Sequence, residues 1–298
     1  MAETVHYGVA AINLCGLTVF LPCNLLMAWA IYKRSDLWEQ WSLKILLNIN
    51  IAGAVYLLPT AIAAAFSVAG MAFSDYLPLL AFLDLETMPV IQGLLCLTLA
   101  FNRFVVFGRW SHLDRKEIYR ICLTVSWCCG VFWLLVYLCT LKSSFYYNFD
   151  KHTFEMETIV DDFSEAITHR DIYNIKSILC AVWFGLIVLC AAFSLAILCL
   201  SSHEIKNEEV GIFYQTLIPV AFLIASVIAD HYSVFFIRNF GKTLGPMVGV
   251  FMFRVMPASI HAIVMMIVNK KIRRAVIAIF TKKNPIDIPT SHYAITAF

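Results

Sequence analysis

The chain has 298 residues, of which 61% are hydrophobic and only 14% charged, and its mean hydropathy is +0.78. Soluble domains carry about half apolar residues, so composition excludes an ordinary water-soluble globular protein and points to a chain that resides in lipid. The formal net charge is +2, and the basic groups are dispersed instead of forming one stripe, which argues against a nucleic-acid partner.

A bilayer core of roughly 30 Å needs about 20 helical residues per crossing. Seven runs meet that length: Gly8 to Tyr32, Leu43 to Ala69, Asp84 to Phe107, Arg120 to Leu141, Ile175 to Leu200, Gly211 to Ile237 and Leu244 to Val268. They are continuously apolar, unlike the alternating strands of a membrane β-barrel. The expected fold is therefore an all-α membrane protein, a seven-transmembrane helix bundle over residues 1–268, with a cytoplasmic tail over 269–298. The first run has no basic segment ahead of it and no clear small-residue cleavage site behind it, so it is expected to remain as a signal anchor.

Span one holds Pro22 and Asn24, and a buried amide in a membrane helix needs a partner on a neighbour. Asn24 is read as interhelical glue. Span two carries Asn48 and Asn50, two residues apart and so on different faces, followed by Gly53 and by Pro59, which kinks a helix and frees a carbonyl. Span three is the organising stretch. Asp84 and Glu86 lie at its outer boundary, Gln92 and Thr98 are its only polar groups between Met88 and Ala100, and Asn102-Arg103-Phe104 closes it. Arg103 falls roughly 25 Å below Glu86 at the helical rise, a position that suits either snorkelling to headgroups or contact with a cytoplasmic partner.

Span four contains Trp127, Trp133 and Cys128-Cys129, which read as packing and interfacial surfaces. The longest connection, Lys142 to Asn174, mixes aromatic residues with acids and fits either a lid over a pocket or a solvated acidic loop. The short turn before span six is acidic, with Glu204, Glu208 and Glu209, and leads to Pro219, a hinge candidate. Within spans six and seven, Asp230 and Arg254 fall at similar depths of roughly 12 and 15 Å from the outer ends, beside His231. A buried arginine requires an interior position and a partner, so the pair reads either as a packing salt bridge or as a pocket wall and lock. Pro257 supplies a second hinge. Beyond span seven, Ile272, Val276, Ile279 and Phe280 recur at helical spacing among basic residues, predicting a short amphipathic helix at about 270–283 on the inner leaflet.

Lys and Arg orient the bundle. They follow span one (Lys33, Arg34, Lys44), separate spans three and four (Arg109, Arg115, Lys116, Arg120) and follow span seven (Lys270, Lys271, Arg273, Arg274), which places those ends in the cytoplasm and the N-terminus outside. The ten cysteines lie in or beside the spans. Cys139 and Cys180 are near enough to the outer face to approach each other, but small buried thiols are the expected reading. No metal or cofactor is expected, and no His-Glu-x-x-His, Gly-x-Ser-x-Gly or paired Cys/His spacing points to an enzyme.

Seven spans, an outside N-terminus, Asn102-Arg103-Phe104 at the end of span three, Pro257 in span seven and a basic helix after it resemble a G-protein-coupled receptor. Glu209 to Phe213 with Gln215-Thr216, and Asn269 with Ile272-Arg273, narrow the resemblance to the nematode serpentine chemoreceptors, the superfamily containing classes g, t, v and x. Asn102-Arg103-Phe104 stands where rhodopsin-like receptors have Asp-Arg-Tyr, Gly53 stands in place of their sodium-site Asp, and their Asn-Pro-x-x-Tyr and outer disulfide are missing. The resemblance implies a plasma-membrane chemosensory receptor, in a sensory-neuron cilium, that binds a small molecule or peptide and activates a heterotrimeric G protein through Asn102, Arg103 and Phe104. Under it, Glu86, Gln92, Asp230, His231 and Arg254 are the polar ligand-binding candidates. The rival reading is a proton- or anion-coupled secondary transporter using Asp230, His231 and Arg254, although no matching inverted halves are present.

Overall fold

A computed structural model describes residues 2–72, 76–140, 144–149, 153–157, 163–200, 214, 217–218, 220–221, 244–245 and 247–281. In chain order these form helices α1 (Ala2–Cys15), α2 (Leu21–Lys33), α3 (Ser35–Trp38), α4 (Trp41–Tyr56), α5 (Leu58–Ala69), α6 (Tyr76–Phe107) and α7 (Lys116–Thr140). Strands β1 (Ser144–Asn148) and β2 (Thr153–Glu157) follow, then helices α8 (Phe163–Leu200), α9 (Met256–Val268) and α10 (Lys270–Thr281). Among the described residues, five stretches are long and apolar enough to cross a membrane: Val5–Lys33, Trp41–Ala69, Tyr76–Phe107, Lys116–Leu138 and Ser177–Ile197. Most of the stretch read as span six, including Pro219, Asp230 and His231, lies outside the described residues. Met256–Val268, in the stretch read as span seven, is a shorter apolar helix.

Prolines set the irregularities. A proline inside a helix has no N–H to give and its ring meets the carbonyl four residues back, so the chain widens just before it. Gly16–Phe20 is a π-helical turn ahead of Pro22, and Phe251–Val255 is another ahead of Pro257. Pro59 is accommodated differently. The helix breaks at Leu57, whose carbonyl is taken up by the Thr60 hydroxyl. Single widened turns of this kind keep the helix direction while relieving the clash.

The third crossing departs from expectation at its start. Helix α6 begins at Tyr76, eight residues before Asp84, so Asp84 and Glu86 lie more than two turns inside the helix and not at its boundary. Pro78 sits in the first turn, where its missing N–H costs nothing, and the apolar stretch Leu79 to Leu83 prolongs the helix ahead of the carboxylates. At 32 residues, α6 is roughly 48 Å long. It packs against α4, α5, α7, α8 and both strands, and thus runs through the middle of the described bundle. The main core combines α2, α4, α6 and α9 with the inner faces of α7, α8 and α10, with Met27, Ile45, Ile49, Leu95, Leu99 and Met265 among its fully buried members.

The connection read as a lid or an acidic loop contains an antiparallel hairpin, with Phe145 opposite Met156 and Tyr147 opposite Phe154. Alternation along β1 explains its seating. Tyr146 is 39% exposed whereas its neighbour Tyr147 is 3% exposed and packs with Phe66 and Ala81 of α5 and α6. At the other end of the chain, Asn269 accepts the Ile272 N–H at 3.1 Å and so caps α10. Ile272, Ala275 and Val276 are buried, α10 packs on α2, and Ile277 and Phe280 are left exposed among the basic residues.

Candidate functional site

Helix α6 gathers polar groups at three levels. The first lies beneath the hairpin. The Tyr137 hydroxyl of α7 donates to Glu86 Oε2 at 2.9 Å, and the Tyr137 ring is held edge-on by Phe82 and Trp133. Asp84 presents a buried Oδ2 with no hydrogen-bond partner among the described residues. Above them the hairpin is bolted down by a hydrogen bond of 2.9 Å between Ser67 and Tyr147, by the Phe66 and Phe149 rings against Tyr147, and by His6 of α1 against Phe149. Glu86 thus joins α6 to α7, and the aromatic hairpin covers that end of the bundle.

The middle level is neutral and tightly packed. Gln92 is 2% exposed, and its Oε1 has no partner among the described residues. It lies roughly 9 Å further along the helix than Glu86, so these two candidates do not share one level. One turn beyond Gln92, Cys96 Sγ lies 3.3 Å from His261 Nε2 of α9, both groups being buried. Asn24 of α2 donates to the Ala258 carbonyl of α9 at 3.1 Å. That carbonyl would stand only 2.5 Å from a Cβ placed on Gly53 of α4, so the junction of α2, α4 and α9 depends on the missing side chain. On the opposite face of α4, Asn48 accepts the Trp127 indole N–H at 2.9 Å, while Asn50 points inward and bonds the Leu46 carbonyl. The two amides of span two do serve different faces.

The third level is the far end of α6. Asn102 and Arg103 are 3% and 8% exposed, and Arg103 Nε finds no acceptor among the described residues. Taking a guanidinium out of water is costly unless it is paired, so this burial marks the position as functional or strained. Snorkelling to solvent does not describe it. Tyr119 of α7 is fully buried, stacks on Trp41 of α4 and donates to Asp114 Oδ1 at 3.0 Å. The Phe104 ring packs edge-on against Trp110 and tilts against Phe193 of α8.

Of the remaining candidates, Pro257 is buried at the first turn of α9 behind the π turn. The backbone of Arg254 lies in that turn, but its side chain is outside the described set, as are Asp230 and His231. Sequence reasoning missed Tyr119, Asp114 and Tyr137, which are ordinary residues until the fold assembles them, whereas Tyr147 is one of the aromatic residues of the connection read as a lid or an acidic loop. His261 is not among the ligand-binding candidates read from the sequence, and the signal that singles it out is its place one helical turn after Pro257, on the buried face of the same helix. Among the described residues no group of three or more His, Cys, Asp or Glu is arranged to hold a metal ion. No protein-family model matches this chain, and no curated protein matches it either.

Proposed function

We propose that the chain is a seven-span G-protein-coupled chemosensory receptor of the plasma membrane, with the hairpin end of α6 outside and the Arg103 end in the cytoplasm. The observation that carries the reading is the single helix α6. It joins a carboxylate level, Asp84 and Glu86, which follow Ala81 where an aromatic hairpin seats, to a buried guanidinium at its other end whose Nε finds no acceptor among the described residues, with a tightly packed neutral level between. The basic residues Lys33, Lys44, Arg115, Lys116, Lys270 and Arg273 near the Arg103 end agree with that orientation.

A small, partly apolar molecule or a peptide enters between the hairpin and the bundle and engages Glu86, with Gln92, Asp230, His231 and Arg254 as further polar contacts. It acts only by binding one arrangement of the helices better than the other. The π turns and prolines, Pro257 and Pro219 included, are the places where helices yield. Arg103, with Asn102 and Phe104, then meets span six or the G protein.

The test is expression in a reporter cell exposed to a panel of small odorants and peptides, comparing wild type with Arg103→Ala. Ligand-dependent signalling that Arg103→Ala abolishes at equal surface expression is the expected result. Signalling that survives loss of every G protein, or substrate flux without signalling, refutes the reading and favours the transporter.

A further inference from the structure

Where α4 meets α7, two cations are gathered on one indole. Trp41 opens α4 and Tyr119 lies in the first turn of α7, and their rings stack with centroids 6.0 Å apart. Lys44 Nζ lies 4.3 Å from the centre of the Trp41 ring and 5.1 Å from that of Trp38, and the Arg120 guanidinium lies 5.8 Å from Trp41. These are cation–π distances. One turn beyond Lys44, the hydrogen bond of 2.9 Å from the Trp127 indole to Asn48 ties the same two helices together again.

An aromatic face holds a cation in place but leaves its N–H donors unspent. Among the described residues, neither Lys44 nor Arg120 lies within 4.0 Å of a carboxylate, whereas Lys116 is 4.0 Å from Glu117 and Asp114 takes the Tyr119 hydroxyl. Because they share one ring, the two cations are at most about 10 Å apart, within about one Debye length. Their fields therefore add, and two positive charges are presented without an anion.

Apolar surface begins directly beyond them. Ile121 adjoins Arg120 and is exposed, as is Val125 one turn on, and Ile51, two turns after Lys44 on the same face of α4, is exposed too. Trp38 and Trp41 stand at that boundary, as tryptophans do at the headgroup level of a bilayer. The occupant that fits is charged at one end and apolar at the other. A phosphodiester carries one negative charge and a phosphomonoester about 1.5 to 2, so the doubly charged group matches two cations.

We propose that Lys44 and Arg120, held by Trp41, form a binding site for the phosphomonoester headgroup of an anionic membrane lipid, whose acyl chains run along the exposed apolar face beyond Arg120. Which leaflet supplies the lipid rests on the orientation in the receptor reading, whereas the site itself does not.

The full-length chain in detergent micelles is titrated with phosphatidic acid bearing a fluorescent acyl chain, with energy transfer from tryptophan reporting binding. Phosphatidylglycerol with the same chains is the singly charged comparison. Phosphatidic acid binds wild type about fivefold more tightly than phosphatidylglycerol, the factor that one further charge interaction at a membrane surface supplies. Lys44→Met and Arg120→Gln each weaken phosphatidic acid by about fivefold, and the double variant loses the preference between the two lipids. Lys116→Gln, whose ammonium already has Glu117 beside it, changes binding by less than about twofold. Equal binding of both lipids to wild type, or single variants that bind like wild type, overturns the site.

Should Lys44→Met fail to fold, the exposed Arg120 carries the test alone: Arg120→Gln weakens phosphatidic acid by about fivefold and Arg120→Glu, a change of two charges, by about twenty-five-fold. An Arg120→Glu variant that still binds within about twofold of wild type refutes the proposal. Inorganic phosphate in large excess leaves the lipid bound, and displacement by it assigns the two cations to a soluble anion and overturns the lipid headgroup. The expected lipid results with no ligand-dependent signal in the reporter cell leave the site standing and count against the receptor reading alone.

Discussion

Adding one methyl group at Gly53 probes a helix junction in which the close neighbour is backbone and not a movable side chain. A Cβ there would lie 2.5 Å from the Ala258 carbonyl oxygen and 3.4 Å from its carbon, with Asn24 Oδ1 also at 3.4 Å. Overpacking against helix backbone, which cannot swing aside as a side chain does, forces α4 and α9 apart and costs about 1–3 kcal/mol. The shift also stretches the 3.1 Å hydrogen bond from Asn24 to Ala258, worth about 1 kcal/mol. Together Gly53→Ala loses about 2–4 kcal/mol, less the helix propensity of about 1 kcal/mol that alanine contributes over glycine. Gly185 of α8 is the internal control, since a Cβ there meets nothing within 4 Å among the described residues, and Gly185→Ala keeps the propensity gain alone. Thermal unfolding of the two purified variants therefore moves in opposite directions, Gly53→Ala down and Gly185→Ala level or up. If both variants move together, the close approach of α4 to α9 is refuted.

Two further outcomes follow from the ends of the bundle. Tyr147→Ala removes a buried aromatic ring and its Ser67 hydrogen bond, costing about 3–5 kcal/mol locally, so limited proteolysis cuts the hairpin of the variant far faster than that of wild type; equal cutting rates refute the seating of the hairpin. Phe280, 67% exposed on basic α10, is poised to enter a lipid surface, and Phe280→Ser weakens partition of a Lys270–Thr281 peptide onto anionic vesicles by about tenfold, while unchanged partition refutes the surface role.

Much of the layout is legible from residue order because it depends on local chemistry. Continuous apolar runs report helices, Pro22, Pro59 and Pro257 report where those helices break or widen, and the basic amphipathic stretch is a helix at Lys270–Thr281. The start of α6 is misplaced for a local reason as well. Two carboxylates look like a boundary, yet a helix already nucleated at Tyr76 carries Asp84 and Glu86 inward, because Tyr137 offers one of them a hydrogen bond.

The site is another matter. Sequence alone determines that Arg103 lies at one end of a long apolar helix and the carboxylates towards the other, since a fixed rise per residue converts order into depth. Only the tertiary structure decides which groups meet across helices: Glu86 with Tyr137, Cys96 with His261, Asn48 with Trp127, and Asn24 with Ala258 over Gly53. Those pairings depend on the rotation and register of each helix about its own axis, which the packing of large and small side chains sets and which no single run of residues encodes. Helix α6 is therefore known as a rod from its sequence, and as a connection between two chemically distinct ends from its neighbours.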